Sequence, residues 1–380
     1  MRKAFKFRLY PNRNQERELG IMLETHRRFY NASLEQRKSA YEDDDISINY
    51  NYQSAWFTNM RLANPWYAMT NFSSAQATLR RLDKAYKAFF HRSKNGGKPG
   101  YPRFKAKGRF DSVEFPAYGD GIRLLQDNKL RVQNIGKIKT RVHRTVEGKV
   151  KTATVKFEAD RWFVILSCDI GDVAVKPSAN PPVGIDVGIE SFLTTSDGEH
   201  FPNPRYLAKE LPELRRRSRA VSRKKLRGSN RSKAVTRLRT VHWRIKNLRH
   251  DHRHKVSLNL CHRYGTIGAE RLNIKGMVRN PRLSRAISDA AWGGFLETLK
   301  RKAESAGVQV VEVDPRGTSQ VCSGCGAEVK KALSIRMHRC EGCGLVLHRD
   351  VNAARNILAR ARMGLVDANG KIVSVVQEAA

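Results

Sequence analysis

The chain of 380 residues carries 72 Lys and Arg against 36 Asp and Glu, a formal net charge of +36, beside 40% hydrophobic residues. That apolar content supports buried cores and excludes a disordered chain, while the positive excess selects a polyanionic partner, nucleic acid before an anionic membrane. No apolar run approaches the ~18 residues of a membrane span and no signal core opens the chain, so a cytoplasmic, nucleoid-associated protein without membrane contact is expected.

At the start, Phe5, Phe7 and Leu9 alternate with Lys6 and Arg8 before Pro11, the period of a half-buried strand. Leu19, Met22, Leu23, His26, Phe29 and Tyr30 then recur at helical spacing. A second amphipathic helix carries Leu79, Leu82, Tyr86, Phe89 and Phe90, with Asn71 or Ser73 as its cap, so residues 13–92 read as mainly helical. From Val113 to Asp169 the texture turns to short β-branched and aromatic runs (GIRLL, KLRV, KIKTRV, KVKTATVKF, RWFVILSC) broken by turn signals. That predicts an antiparallel, barrel-like β-domain, completed by the opening strand and interrupted by the helical block.

GDVAVKPSANPP, residues 171–182, is a linker. Beyond it VGIDVGIESFLTTSDG predicts a buried strand, a tight turn at Gly188 and a second strand. A long helix sets Ala234, Leu238, Val241, Ile245 and Leu248 in a stripe suited to packing on a sheet. GTIGAERL is a strand, AAWGGFLETLKRKAESAG a helix and VQVVEVD a strand, and this alternation predicts an α/β domain.

Four of the six cysteines form C-x2-C-x14-C-x2-C: Cys322, Cys325, Cys340 and Cys343. Thiolates three residues apart grip one tetrahedral ion at about 2.3 Å, and each pair is followed by a glycine that lets amides turn toward sulfur. A structural Zn2+ follows, in a reducing compartment. With four ligands supplied, His338 is expected at the surface, and Cys168 and Cys261 serve packing.

Three carboxylates stand at element ends. Asp186 interrupts the apolar GIDVG, Glu270 ends the strand GTIGAE, and Asp350 opens the helix VNAARNIL. Each has a bland reading alone: a turn residue, a solvated strand end, a helix N-cap. Together in one α/β domain, two of them closing strands, they can converge on Mg2+ or Mn2+ and serve phosphodiester hydrolysis.

The excess charge concentrates in RRRSRAVSRKKLRGSNRSK, with Arg215, Arg216, Arg217, Arg223, Lys224 and Lys225 as candidate phosphate contacts. In KPGYPRFKAKGRF, Tyr101, Phe104 and Phe110 interleave with Lys98, Arg103, Lys105, Lys107 and Arg109, a pattern for stacking on bases or for aromatic packing beneath a basic rim.

FKFRLYPNRNQ, GKPGYPRFK, GIDVG, GAERLNIKGM, SDAAWGGF, TSQVCSGCG and HRDVNAARNIL, in this order, resemble the TnpB (OrfB) family, transposon-encoded RNA-guided DNA endonucleases related to type V CRISPR effector nucleases. The resemblance implies a RuvC-like, RNase H-fold α/β nuclease domain (182–319 and 346–365) with an inserted zinc ribbon (320–345). It also implies a wedge-like β-barrel domain (1–12 and 100–175) carrying a helical recognition lobe (13–99), and a tail at 366–380. The family's catalytic Asp, Glu, Asp triad falls on Asp186, Glu270 and Asp350, with Mg2+, a guide RNA from the transposon end and target double-stranded DNA as partners of a monomer. Two departures stand out: His348 where the family often has Asp, and Arg271 where an acidic residue is common. A non-cleaving RNA-guided repressor and a transposase acting directly on transposon ends are the alternatives.

Overall fold

The computed structural model describes residues 1–171, 176–332 and 334–363, apart from the Trp66 side chain, so the expected tail at 366–380 and part of the linker lie outside the described residues. The chain divides into two compact units, Met1–Val173 and Ala174–Ala380.

In the first unit, β1 (Arg2–Tyr10) is followed by α1 (Arg13–Asp44), α2 (Tyr50–Ala63), α3 (Pro65–Ala68) and α4 (Phe72–Lys94). Then come β2 (Ser112–Phe115), β3 (Ile122–Leu124), β4 (Lys129–Val132), β5 (Gly136–Arg141), β6 (Lys149–Phe157) and β7 (Trp162–Asp169). A capping box between Asn12 and Gln15 starts α1, whose 32 residues end at Asp45, a left-handed residue at φ 55°. Of the two candidate caps for α4, Asn71 does the work, accepting from the Ser74 amide at 2.9 Å. Periodicity did not separate α2, which seats Phe57 on Phe29 at a ring distance of 4.4 Å.

All seven strands form one antiparallel sheet in the order β2-β6-β7-β1-β5-β4-β3. The opening strand is therefore interior, with Phe7 opposite Val164 and Leu9 opposite Thr140. The edges approach through the segment after β2, where the Tyr118 amide donates to the Lys151 carbonyl and the Gly119 amide to the Ile122 carbonyl, both at 3.0 Å, so the sheet is nearly closed. Phe5, Phe7, Leu9, Val164 and Leu166 fill its core against Leu19, Tyr30 and Leu82 of the helices, each fully buried side chain contributing about 1.5–3 kcal/mol.

The second unit opens with β8 (Pro182–Asp186), β9 (Ser191–Thr195) and β10 (His200–Pro202), then α5 (Tyr206–Ser222) and α6 (Ser229–Arg263). β11 (Thr266–Glu270), α7 (Ile274–Met277), α8 (Ser284–Ala290), α9 (Trp292–Ala306) and β12 (Gln309–Val313) follow. β13 (Met337–Arg339), β14 (Val346–His348) and α10 (Arg349–Met363) close the described chain. The sheet runs β10-β9-β8-β11-β12; β8, β11 and β12 are parallel, and β9 turns back antiparallel to β8.

The stripe on α6 does not pack on this sheet. Its helix neighbours are α5 and α9, only Ala234 and Ile245 of the stripe are buried, and the sheet core receives Val256, Leu260 and Cys261 from its far end. A 3.6-residue period identifies an apolar face but not the element that covers it. α5 begins at Arg205 without a side-chain cap of its own. Instead the buried Asp289 accepts from the Leu207 and Ala208 amides at 2.9 and 3.2 Å, and from Arg249 at 2.8 Å.

α10 lies against β8 and β11 through small residues. A Cβ on Gly184 would stand 2.0 Å from the Ala354 carbonyl oxygen, and one on Gly268 2.8 Å from the Ala361 Cβ. Glycine in both strands is what lets the helix backbone approach this closely.

Candidate active site and metal centre

β8 and β11 are adjacent parallel strands with Ile185 opposite Ala269, so Asp186 and Glu270 emerge side by side at their carboxyl ends. α10 approaches the same edge with its first turn, which carries Asp350. All three carboxylates line one pocket of about 270 Å³, with Gly188, Glu190, Thr318, Arg336 and Arg349 in its wall.

Electrostatics within the pocket follow from burial. Desolvation pushes the Asp186 carboxyl well above the ordinary range, and the Glu270 and Asp350 charges push it further against the pull of Arg349. Burial also raises Glu270, opposed by the Thr318 hydroxyl, which donates to Oε1 at 2.6 Å, and by Arg360. Arg336 pairs with Glu190 at 2.9 Å and reaches to 4.0 Å from Asp350. Carboxylates that repel one another at low solvation favour a divalent cation, and oxygen donors suit Mg2+ or Mn2+.

Asp350 does not cap its helix. It is the second residue of α10, and its amide donates to Nδ1 of His348 at 3.3 Å, so the imidazole takes the cap position and the carboxylate is left to face the pocket.

The four cysteines are brought together. Their sulfurs all lie within 4.8 Å of one another, with Cys322 and Cys343 3.6 Å apart and Cys325 and Cys340 3.5 Å apart. A tetrahedral ion with bonds of about 2.3 Å requires sulfurs about 3.8 Å apart, so the set fits zinc. At Cys322 burial raises the thiol, but the Cys325 amide, His338 and the Gly324 amide outweigh it and bring the pKa down to about 5. Among the described residues this is the only group of three or more such ligands so tightly gathered; the three carboxylates are set wider.

The expectation for His338 is corrected: the side chain is fully buried, at 0% exposure, on β13 beside the cysteines. Counting ligands fills the first coordination sphere and says nothing of the layer behind it. Cys168 and Cys261 are buried packing residues as expected.

Two asparagines of the motif NAARN bind the knuckle to the helix. Asn352 Oδ1 accepts from the Ser323 amide at 2.9 Å, and both Asn352 and Asn356 donate to the Val321 carbonyl at 2.7 Å. The same loop supplies Thr318 to Glu270, so cysteine site and carboxylate pocket share one clasp.

The predicted nucleic-acid residues divide. In the first unit Lys98, Tyr101, Arg103 and Phe104 are exposed, whereas Lys105 is half-buried with its backbone amide bound to Asn31 Oδ1 at 2.8 Å. Phe110 is buried against Tyr30 and belongs to the core. In the second unit Glu213 holds Arg216 and Arg217 at 2.6 and 2.7 Å. Arg215, Arg223, Lys224 and Lys225 are exposed and form no ion pair among the described residues. Sequence reasoning missed Glu190, Thr318, Arg336 and Arg349 of the pocket and the trans cap Asp289. Only the position of Thr318, just before the first knuckle, hinted at a role. None of the described helices is long and apolar enough to cross a membrane.

Comparison with known proteins gives three family matches: the probable-transposase model OrfB_IS605 over residues 165–281, the Cas12f1-like TNB domain over residues 292–357, and an OrfB_IS605 helix-turn-helix domain over residues 1–45. The last of these covers one strand and one uninterrupted helix in this chain. A Streptomyces pristinaespiralis protein named "Putative RNA-guided DNA endonuclease" is 34% identical over 368 residues, covering 94% of this chain and 89% of its own. "Putative RNA-guided DNA endonuclease InsQ" of Escherichia coli K12 is 31% identical over 377 residues, covering 94% and 92%. Among solved structures, that of the mini-RNA-guided endonuclease CRISPR-Cas_phi3 shares the fold at a TM-score of 0.50 and 10% identity, covering 95% of this chain and 92% of that one. With residues 165–281 matching the OrfB model and relatives above 30% identity along nearly its whole length, this chain belongs to the TnpB (OrfB) family of IS605-type elements.

Proposed function

We propose that the chain is an RNA-guided DNA endonuclease that takes a guide RNA from the transposon end and cleaves double-stranded DNA beside a short motif. The relatives' names support the guided-endonuclease reading, and the convergence of Asp186, Glu270 and Asp350 on one pocket, from distant parts of the chain, carries the assignment of chemistry. The mixed sheet, with two of these carboxylates at the carboxyl ends of neighbouring parallel strands, supports a RuvC-like nuclease domain; the nearly closed sheet of the first unit supports a wedge-like domain.

Bound divalent ions would supply Lewis acidity, favouring hydroxide over water and stabilising the departing oxygen. The chain's own residues prepare for this. Burial with the Glu270 and Asp350 charges raises the Asp186 carboxyl and burial raises that of Glu270, penalties that a cation would offset; Arg349 biases Asp186 toward the carboxylate, and the Thr318 hydroxyl holds Oε1 of Glu270. In-line attack of water on phosphorus, with the 3′ oxygen leaving and taking a proton, yields a 5′-phosphate and a 3′-hydroxyl. Arg215, Arg223, Lys224 and Lys225 are cations free to meet phosphates, and Phe104 is an exposed ring that can stack, whereas Tyr101 is held by the Tyr86 hydroxyl at 2.8 Å and packs edge-on against Tyr86 and Phe89.

The test is to purify the protein with its flanking locus expressed, sequence the RNA that co-purifies, and challenge the complex with matching duplex. A discrete RNA species and Mg2+-dependent cutting are expected. Asp186→Ala should lose at least about a thousandfold in rate, about 4 kcal/mol of barrier, while RNA-dependent DNA binding persists. Cutting by the pure variant would remove the triad assignment. Wild-type binding without cutting would instead identify a repressor, and joining of transposon-end DNA without RNA a transposase.

A further inference from the structure

Between α4 and β2 the chain runs from residue 95 to residue 111 without helix or strand, yet its backbone is fastened to the helices. The Gly100 carbonyl accepts from Arg92 at 3.1 Å, and the Tyr101 hydroxyl meets that of Tyr86 at 2.8 Å. Lys105 is gripped on both sides: its amide donates to Asn31 Oδ1 at 2.8 Å, and its carbonyl accepts from Asn31 Nδ2 at 3.1 Å and from Arg27 at 2.8 Å. Glu24 in turn holds Arg27 by two bonds, at 2.7 and 2.8 Å. Pro102 and Phe110 are buried, which pins the segment at two further points. The side chains between these pins point the other way. Lys98, Arg103, Lys107 and Arg109 are exposed and form no ion pair or side-chain hydrogen bond among the described residues. Phe104 is 49% exposed and makes no ring contact among them. A segment with a fastened backbone and free tips pays little ordering entropy when a partner lands on it. An open ring gains by stacking on a base, and only an unpaired base offers its face, because neighbours cover the faces within a duplex. The cations on either side of the ring match the phosphates of that same strand.

We infer, resting on the guided-endonuclease reading, that residues 98–109 are a preformed rail for an unpaired segment of the guide RNA. Phe104 stacks on one base, Arg103 and Lys107 meet the flanking phosphates, and Asn31 is the positioning residue that sets Phe104 through the backbone of Lys105. The guide is the occupant because target DNA arrives as a duplex and frees a strand only after opening, whereas a guide carries unpaired loops from the outset. A rail that stands ready before DNA arrives suits the partner already on board.

The test uses the full chain with two labelled probes of one mixed sequence, a short single-stranded RNA and the corresponding duplex DNA. Phe104→Leu, at an exposed position, should weaken RNA binding about five- to a hundredfold, leave its salt dependence unchanged and leave duplex binding within about twofold of wild type. Arg103→Gln with Lys107→Gln should lower the slope of log affinity against log salt by about 1.4, about 0.7 for each phosphate contact. Asn31→Ala should weaken RNA binding about two- to tenfold with an unchanged slope, and trypsin should cut faster after Arg103, Lys105 and Lys107. RNA affinity of Phe104→Leu equal to wild type, or an equal loss on RNA and duplex, would overturn the rail. Faster trypsin cleavage of Asn31→Ala with RNA affinity unchanged would remove its positioning role. To identify the strand, the complex that co-purifies with RNA is irradiated with ultraviolet light after target duplex is added, and the peptide containing Phe104 is weighed. A ribonucleotide adduct is expected; a deoxyribonucleotide adduct would assign the rail to the displaced DNA strand and overturn the guide as its occupant. Wild type that binds no RNA and cuts no DNA fails the guided-endonuclease reading itself, a distinct result.

Discussion

The cysteine cluster and the carboxylate pocket share one loop yet solve opposite problems. The cysteines are gathered with sulfurs within 4.8 Å, so the ligands are preassembled in number, while their closeness drives neighbouring thiols apart, Cys322 down to about 5 and Cys343 up to about 12. The carboxylates are set wider, around about 270 Å³ of space, and burial with repulsion pushes Asp186 toward the proton. The contrast teaches that a site built to hold an ion closes its shell, whereas a site built to work on a substrate stays open and strained.

The sharpest way to break this contrast is Cys322→Ser. If the cluster is structural, zinc per chain falls to near zero, and a share of the roughly 10 kcal/mol of structural zinc binding is lost to folding, read as a large fall in Tm. Asp186→Asn should act in the opposite direction. A carboxyl whose folded pKa is raised contributes stability that is fully present below its unfolded pKa, about 4, and is lost as pH rises through the folded value. In buffer without added divalent ions, wild type should therefore lose stability relative to the Asn variant by about 1.4 kcal/mol per pH unit across that window. Mg2+ should restore wild type alone; parallel pH curves for the two proteins would mean that the carboxylates do not repel as the pocket implies. The smallest effect is expected from Thr318→Val. Removing the donor to Glu270 raises that carboxyl further, so the acid limb of the pH–rate profile should move up by about 1 pH unit, checked by cleavage rates at fixed Mg2+.

What was legible in the sequence depended on whether the signal was local. Phe5, Phe7 and Leu9 announce a strand because alternation is a two-residue property, and the paired cysteines announce their ion because the spacing is the chelate. The individual roles of Asp186, Glu270 and Asp350 were ambiguous because what distinguishes them is company supplied by strand pairing and by α10. Thr318 and Arg336, in irregular chain, and Arg349, the first residue of α10, were invisible since polar residues carry no apolar period to read. His338 and the α6 stripe were misread for related reasons: a filled ligand count hides the layer behind it, and an apolar face does not name its partner. The departure at His348 turned out to be neutral for the cap, because imidazole nitrogen accepts from the Asp350 amide where a carboxylate oxygen would.

The glycine contacts under α10 have a consequence for how the chain can change in length. Gly184 admits the helix beside Ala354 and Gly268 admits it beside Ala361, while Asn352 and Asn356 hold the knuckle and Asp350 faces the pocket. All of these are fixed by rotational phase, and one residue inserted or deleted turns everything beyond it by about 100°. α10 therefore tolerates no indel between Asp350 and Ala361. Its phase is the gauge that keeps three distant segments of chain in step.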